Sequence, residues 1–145
     1  MEPKRAPILP LPLDDERPVT LQPPGWPKPR GYANGMAARG RLVVTGGVIG
    51  WNAMEELAEG FVPQARQIFL NIRSILAEAD GEPHHLVRMT WYVVDVEEYL
   101  ANLRPLGRAY REILGEHYPA MALVGVTRLV EPKARLEIEA TAVLP

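Results

Sequence analysis

Two carboxylates stand two positions apart near the end of this 145-residue chain, and their types and spacing could support chemistry. The segment 136–142 reads LEIEATA, so that apolar residues alternate with Glu137, Glu139 and Thr141. A period of two predicts a β-strand with both carboxylates on one face and the apolar residues on the other. Such a face is either solvated surface or the wall of a cleft, where a carboxylate can hold a water molecule and accept its proton. The pattern leaves both readings open for Glu137.

Metal and thiol chemistry is not predicted. The chain has no cysteine, which excludes disulfides, thiolate nucleophiles and thiolate metal sites. His84 and His85 are adjacent, and on an extended segment the side chains of adjacent residues point in opposite directions. Since no third group of ligands is nearby, a histidine pair in the loop before a strand is a better interpretation than a metal site. We therefore expect no metal and no cofactor.

The composition is that of an ordinary globular protein. Hydrophobic residues make up 47% of the sequence and charged residues 23%, which is typical of a single soluble domain. The net charge of −2 provides no attraction to nucleic acid or to anionic lipid. The sequence shows no signal-peptide pattern and no run of about 18 apolar residues that could span a membrane. We expect a cytoplasmic protein without nucleic-acid or membrane partners.

Residues 1–30 contain nine prolines and differ in composition from the rest of the chain. Proline removes backbone donors and disfavours both helices and central strands, so we predict an extended, partly polyproline-like arm. Leu9, Leu11, Leu13 and Trp26 provide apolar side chains through which this arm can dock on the domain or on a neighbouring subunit. A freely moving tail is the alternative.

Residues 31–145 carry the regular patterns of one domain. Strands are predicted over 41–45 and 48–51, on either side of Gly46-Gly47. Apolar spacings of three and four predict a helix over 61–79, which ends at Asp80-Gly81. The later elements are a strand over 86–94, a helix from Asp95 to Gly115 that Pro105 either kinks or restarts, and strands over 120–128 and 135–143.

These elements predict an α+β fold with one mixed six-stranded sheet and two helices packed on one face. Asp95 and Glu98 have the spacing of a capping box at the start of the second helix. Because the helices cover only one face, the other face needs a different cover. Apolar residues on both faces of the strands over 86–94 and 120–128 favour oligomerisation as that cover.

Several segments, taken together and in order, resemble one known family. Among them are Gly31-Tyr32, Val44-Thr45-Gly46-Gly47, Gln64-Ala65-Arg66-Gln67, Pro119-Ala120 and Leu136-Glu137-Ile138-Glu139-Ala140. No single segment is diagnostic, but over residues 31–143 the ordered set resembles the Rid family of reactive intermediate deaminases, also called the YjgF or L-PSP endoribonuclease family. The resemblance implies a chorismate-mutase-like fold and a homotrimer that binds small molecules in three clefts between neighbouring subunits.

The resemblance also implies roles for three residues of the cleft. Glu137 matches the glutamate that positions the attacking water, Gly46 matches a glycine whose backbone approaches the substrate, and Tyr32 matches a cleft tyrosine. Each residue also has a simpler interpretation. Glu137 can be a solvated strand residue, Gly46 a turn glycine, and Tyr32 a packing residue at a subunit boundary.

One position departs from the family pattern. In the deaminating members, an arginine directly after the Pro-Ala pair binds the substrate carboxylate, a task that suits a planar guanidinium. Here the position is Met121, which supplies neither the charge nor the geometry and is expected to be an apolar wall of the substrate cleft or an ordinary core residue. The protein is therefore not expected to be the usual 2-aminoacrylate deaminase. Its substrate is expected to be neutral, or less anionic than an imine derived from an amino acid.

A second departure lies in the helix that follows Asp95. The segment up to Tyr110 is about one helical turn longer than in the deaminating members, and Gly107 stands where an asparagine is expected. The added turn carries Arg104 and Arg108. One hypothesis is that Arg104 or Arg108 supplies a relocated cation for the substrate, and the simpler alternative is a solvated helix face.

The sequence leaves open whether the protein is an enzyme. The first hypothesis is a homotrimer that hydrolyses a small imine, enamine or related C–N compound, with Glu137 orienting the water. The second is a non-catalytic trimer that binds or senses a small metabolite in the same cleft. The third is an interaction protein that uses its proline-rich arm.

Overall fold

The structure, a computed structural model, describes residues 17–145. Its elements are, in chain order, β1 (Val19–Thr20), β2 (Met36–Ala37), β3 (Arg41–Val44), α1 (Phe61–Glu78), β4 (Leu86–Val93), α2 (Val96–Ala101), α3 (Leu103–Leu114), β5 (Ala120–Gly125) and β6 (Leu136–Leu144). A single 3₁₀ turn, Pro83–His85, leads into β4. No helix in this part of the chain is long and apolar enough to cross a membrane.

The alternating segment at the end of the chain is a central strand of the sheet. β6 pairs antiparallel with β3 on one side and with β4 on the other, and β4 pairs in parallel with β5. The strand order is therefore β3-β6-β4-β5, a mixed sheet. Leu136, Ile138 and Ala140 are buried on the face that carries the helices, while Glu137 and Glu139 lie on the opposite face, as the period of two predicts.

Helices α1 and α3 pack together on one face of this sheet, so the predicted α+β fold with its mixed sheet is confirmed. Their buried positions recur at spacings of three and four, which turns one apolar stripe of each helix toward the strands. The buried side chains of the two helices include Phe61, Ala65, Ile68, Phe69, Ile72 and Leu76 from α1, and Leu106, Ala109, Tyr110, Ile113 and Leu114 from α3.

The number of strands in the sheet differs from the prediction of six. The described chain has six strands, but β1 and β2 form a separate two-stranded sheet and only four belong to the mixed sheet. The predicted strand over 48–51 shrinks to isolated bridges, Val48 with Ile138 and Trp51 with Leu57, because Gly46-Gly47 interrupts the pairing with β6. β5 ends at Gly125 rather than at residue 128, because its partner β4 ends at Val93.

The second predicted helix is divided into α2 and α3 at Asn102, and Pro105 lies in the first turn of α3. Pro105 therefore restarts the helix rather than kinking it. Asp95 caps α2 by accepting hydrogen bonds from the backbone of Glu97 and Glu98. The Glu98 carboxylate does not return to the cap. It instead receives two hydrogen bonds of 3.0 Å from the Arg135 guanidinium, which ties α2 to the loop before β6.

The predicted arm over 1–30 lies partly outside the described residues, since Leu9, Leu11 and Leu13 precede residue 17. The described part runs beside 34–37. β1 pairs with β2, and the Leu21 backbone N–H donates to the Gly35 carbonyl. Trp26 is 60% exposed. The division into an arm over 1–30 and a domain over 31–145 therefore stays a prediction.

Gln64 connects α1 to the loop that precedes β6. Its side chain is buried, its Nε2 donates to the Lys133 carbonyl at 3.1 Å, and its Oε1 accepts from the Arg135 backbone N–H at 2.7 Å. Both polar atoms of the amide are thereby satisfied in the interior. The contact holds Arg135, the residue directly before β6 and two positions before Glu137.

We expect Gln64→Met to lower the free energy of unfolding by about 1–3 kcal/mol, because it leaves the Lys133 carbonyl and the Arg135 N–H without their partner. Urea denaturation measures this change. Gln67→Met is the matched control, since Gln67 donates only to Asn71 of its own helix, and it should cost less than about 0.5 kcal/mol. Equal losses in the two variants would contradict a special role for Gln64.

His117 makes the stability of the fold sensitive to acid. Burial is the main cause that lowers the pKa of the His117 imidazole, although its 2.7 Å hydrogen bond with the Leu86 carbonyl opposes the change. Because the folded-state pKa lies below the unfolded value of about 6.5, the unfolded chain takes up the proton first. The contribution of His117 to the free energy of unfolding should therefore be fully present above that pH and decrease below it. Urea midpoints measured between pH 7.5 and 5.5 should fall less in His117→Gln, and an identical decline would contradict this assignment.

Candidate functional site

Strands β4 and β6 bring polar side chains together on the sheet face that carries no helix. In the register of the two strands, Tyr92 lies opposite Glu137 and Thr90 lies opposite Glu139. The Tyr92 hydroxyl donates a 2.8 Å hydrogen bond to Oε1 of the diagonal Glu139. This bond, more than burial, raises the pKa of the Tyr92 phenol. Glu139 is therefore engaged with a neighbouring strand.

Glu137 has a different environment. Its side chain is half-buried, and within residues 17–145 its carboxylate accepts no hydrogen bond and forms no ion pair. The carboxylate lies against Gly47, where a Cβ atom would overlap Oε1 of Glu137. Glu137 is thus a carboxylate held in place by packing, with its hydrogen-bonding capacity unused by its own chain.

The two glycines beside Glu137 form a bulge at the edge of β6. The Thr45 backbone N–H donates to the Ala140 carbonyl at 2.9 Å, and the Val48 N–H donates to the Ile138 carbonyl at 2.8 Å. Between these bonds two residues, Gly46 and Gly47, face one residue of β6, which is the arrangement of a β-bulge. The close approach to Glu137 is at Gly47, whereas a Cβ at Gly46 would meet nothing within 4 Å.

A groove of about 480 Å³ lies between β5 and α3, and it contains two of the predicted site residues. Met121 of β5 is half-buried against the core, and Tyr32 is 45% exposed. Tyr32 reaches this position because the Ala33 N–H donates to the Pro119 carbonyl at 3.0 Å, beside the start of β5. The structure therefore places Tyr32 and Met121 in the same groove, and their role in binding a substrate stays a prediction.

The wall of the groove is aromatic. Besides Tyr32 it includes Trp91, Tyr99, Tyr110 and Tyr118. Tyr110 stacks on Tyr118 with ring centroids 5.3 Å apart, and its hydroxyl donates to the His117 carbonyl at 2.6 Å. Burial raises the pKa of the Tyr110 phenol, so this group stays a neutral donor. The Trp91 side chain is only 5% exposed, and its Nε1–H has no hydrogen-bond partner among the described residues.

Arginines line the α3 side of the groove. Arg104 and Arg108 lie in an adjoining recess of about 390 Å³, while Arg111 lines both the recess and the groove. Arg104 is therefore next to the groove that holds Met121 but does not line it. Arg111 was not predicted. The sequence gives one indication of it. Gly107, at the position where the family pattern has an asparagine, lies four residues before Arg111, and residues at i and i+4 share one helix face.

Met121 and Glu137 leave the sheet on opposite faces. Met121 is in register with the buried Met89, so it lies on the face that carries the helices. Tyr92 pairs with Glu137 and alternates with the buried Trp91 and Val93, so Tyr92 and Glu137 lie on the helix-free face. The sheet itself therefore separates the groove from the Glu137 carboxylate within one subunit. Among the predicted residues, Tyr32 and Met121 lie together on one side, and Glu137 lies next to the Gly46-Gly47 bulge on the other.

The histidine pair lies in the 3₁₀ turn before β4, as the interpretation as a loop pair predicts. Because this turn is not extended, the two rings do not point in opposite directions, and their centroids are 4.2 Å apart. The Nδ1 atom of His85 accepts from the Glu82 backbone N–H. Within residues 17–145, no group of three or more His, Asp or Glu side chains has an arrangement that could hold a metal ion.

A wider depression of about 970 Å³ lies between the C-terminal ends of α1 and α3. Both acidic and basic side chains line it, among them Asp80, Glu82, Arg73 and Arg111, the last of which it shares with the groove. This mixture favours neither an anion nor a cation, and the depression contains none of the predicted site residues. The groove beside β5 is therefore the better candidate for a ligand.

The comparisons with known proteins agree with this geometry. The family model described as Endoribonuclease L-PSP matches residues 27–144. A RutC family protein of Aquifex aeolicus is 33% identical over 85% of this chain and 97% of its own length. The mitochondrial protein MMF1 of Saccharomyces cerevisiae is 27% identical over 97% of this chain and 92% of its own length.

Among solved structures, the Rid family protein YyfB of Yersinia pestis superposes with a TM-score of 0.77 at 28% identity. The match covers 88% of this chain and 99% of that one, so it includes the mixed sheet and the helices that frame the groove. The ordered motifs, the fold and the matching family model lead to one conclusion: the chain belongs to the Rid family, also known as the YjgF or L-PSP endoribonuclease family.

Proposed function

We propose that this protein is a homotrimeric hydrolase of a small imine, enamine or related C–N compound, in which Glu137 positions the attacking water. The observation that carries the proposal is the Glu137 carboxylate, which is half-buried, packed against Gly47 and without a hydrogen-bond donor among residues 17–145. Such a carboxylate is able to accept a hydrogen bond from a water molecule and then its proton.

The proposed reaction follows from this role. The water oxygen adds to the carbon of the protonated C=N bond while Glu137 takes one proton from the water, which leaves a hydroxyl on that carbon and a neutral amine nitrogen. Glu137 then returns the proton to the nitrogen. The C–N bond breaks, ammonia or an amine leaves, and Glu137 accepts the hydroxyl proton as the carbonyl forms and passes it to the released amine. An imine and one water are thus converted into a carbonyl compound and an amine without any oxidant or metal.

A cleft between subunits is required for the groove and Glu137 to act on one ligand. Since Met121 and Glu137 lie on opposite faces of the sheet, one subunit would supply the groove and its neighbour would supply the carboxylate. Members of this family are typically homotrimers. Leu42 and Val44 on the helix-free face are 66% and 63% exposed, and such apolar surface favours coverage by another subunit.

Met121 separates this protein from the usual 2-aminoacrylate deaminases in our proposal. The thioether offers no charge to a carboxylate carried on the reacting carbon, and Met121 is packed against the core rather than free to move. The substrate is therefore expected to have no carboxylate at that carbon.

The second candidate function is binding of a small metabolite without turnover. The observation that favours it is that the aromatic groove contains neither Glu137 nor any other carboxylate, so it is able to hold a ligand without using the group proposed for catalysis. The cytoplasmic location expected from the sequence stays a prediction, since the yeast relative is mitochondrial.

Glu137→Gln tests the catalytic proposal. We expect it to slow ammonia release from a neutral ketimine by about 10²–10⁴-fold, the usual contribution of a general base, while binding of the product ketone is unchanged. Glu139→Gln is the matched control, because Glu139 lies on the same strand face but is hydrogen-bonded to Tyr92. Absence of turnover in the wild type, together with ligand binding that Glu137→Gln leaves unchanged, would favour the second function.

The role of Met121 is tested with 2-aminoacrylate. We expect the wild-type protein not to accelerate hydrolysis of this compound above the uncatalysed rate. Met121→Arg should bind small carboxylates about ten- to a hundredfold more tightly, because it introduces charge-assisted hydrogen bonds. Met121→Leu, which changes shape but not charge, is the control. Clear deamination of 2-aminoacrylate by the wild type would overturn the proposal.

A further inference from the structure

The groove and its adjoining recess have a charge that differs from the rest of the molecule. Four arginines line them, Arg30, Arg104, Arg108 and Arg111, and no aspartate or glutamate does. The whole chain, by contrast, has 18 acidic and 16 basic residues. An excess of positive charge at the mouth of an apolar groove attracts an anion to it.

These four arginines are also free of partners within the described part of the chain. None of their side chains makes a hydrogen bond or an ion pair with residues 17–145. Two arginines elsewhere in the described chain are, by contrast, paired with carboxylates. Arg66 reaches Glu112 at 2.7 Å, and Arg135 reaches Glu98 at 3.0 Å. The cations around the groove therefore keep their full capacity to bind an external carboxylate or phosphate.

Gly107 determines the position of Arg111. Glycine in the interior of a helix is unfavourable relative to alanine, so its place in α3 calls for a compensating reason. A Cβ at Gly107 would lie 3.2 Å from Nη1 of Arg111 and 3.9 Å from its Cζ. The guanidinium thus lies over the surface that the missing side chain leaves free, at the boundary of the groove and the recess.

The rest of the groove suits a flat apolar ring. Its wall contains Trp91, Tyr99, Tyr110 and Tyr118, and its volume of about 480 Å³ is within the range of small-molecule sites. Aromatic side chains attract other rings through stacked and edge-to-face contacts. One end of the groove therefore favours a ring, and the α3 end favours a negative charge.

We propose that the groove binds a small molecule in which an aromatic ring carries an anionic group, with the ring against the aromatic wall and the anionic group on Arg111. This inference rests on the proposed function, because it names the ligand class of the same cleft. The expectation of a neutral substrate followed from Met121 alone, and Arg111 supplies a cation on the opposite wall. A substrate of this class has its anionic group separated from the reacting C–N carbon, unlike 2-aminoacrylate.

Isothermal titration calorimetry of the full-length protein with phenylacetate, phenylacetamide and acetate tests this inference. We expect phenylacetate to bind at least tenfold more tightly than either of the others, since only phenylacetate has both the ring and the charge. Phenyl phosphate, titrated in parallel, shows whether a carboxylate or a phosphate is preferred. Equal affinities for phenylacetate and phenylacetamide would overturn the proposal.

Variants identify the residue that binds the anion. Arg111→Ala should weaken phenylacetate binding by roughly ten- to a hundredfold, while phenylacetamide is unaffected. Arg128→Ala, which removes an exposed arginine outside the groove, is the matched control and should bind as the wild type does. Gly107→Asn keeps Arg111 but puts a side chain into the space that the Arg111 guanidinium occupies. It should therefore also weaken binding of phenylacetate. Thermal unfolding confirms that each variant is folded.

The outcomes separate this inference from the proposed function. Binding of phenylacetate that depends on Arg111, without hydrolysis of any imine, would support the inference and contradict catalysis. Hydrolysis of neutral imines that depends on Glu137, without discrimination between phenylacetate and phenylacetamide, would do the reverse. Unchanged phenylacetate binding in Arg111→Ala would overturn the assignment of the anion to Arg111.

Discussion

Strand β6 is hydrogen-bonded along both of its edges, to β3 on one side and to β4 on the other. A strand held in this way cannot slip by one residue, because a slip would move its buried leucine, isoleucine and alanine side chains to the helix-free face. The register therefore decides where every side chain of β6 points. Gln64 and the Glu98–Arg135 pair add to this constraint at the residues that immediately precede the strand.

The same constraint divides the chemistry of the subunit into two halves. One face of the sheet holds the core and, at its β5 edge, an aromatic groove, and the other holds a carboxylate beside a glycine bulge. Neither half is sufficient for the proposed hydrolysis, since the groove lacks an acid and Glu137 lacks a binding pocket. Assembly would thus be part of the proposed active site itself, and dissociation into subunits would remove the proposed activity.

The sequence predicts much of this arrangement, and its failures have physical causes. Periodicity alone identifies both faces of β6 and the buried stripe of α1, whereas Pro105 leaves a kink and a restart of the helix equally open. The interruption of the sheet at Gly46-Gly47 is not predictable from local pattern, because the residues that follow still have the composition of a strand. Helix spacing shows that Gly107 and Arg111 share a face, but only the packing of α3 shows that this face borders the groove. The unpaired Nε1–H of the buried Trp91 depends on neighbours that are distant in sequence.

The contact between Glu137 and Gly47 has a consequence for how this family can vary. The Glu137 carboxylate fills the space that a side chain at position 47 would need. A side chain at position 47 would therefore displace the carboxylate from the place in which it is held, and only glycine leaves it there. The residues at positions 47 and 137 are therefore expected to vary together. Where homologues have lost the acid, the glycine loses its steric reason to be retained.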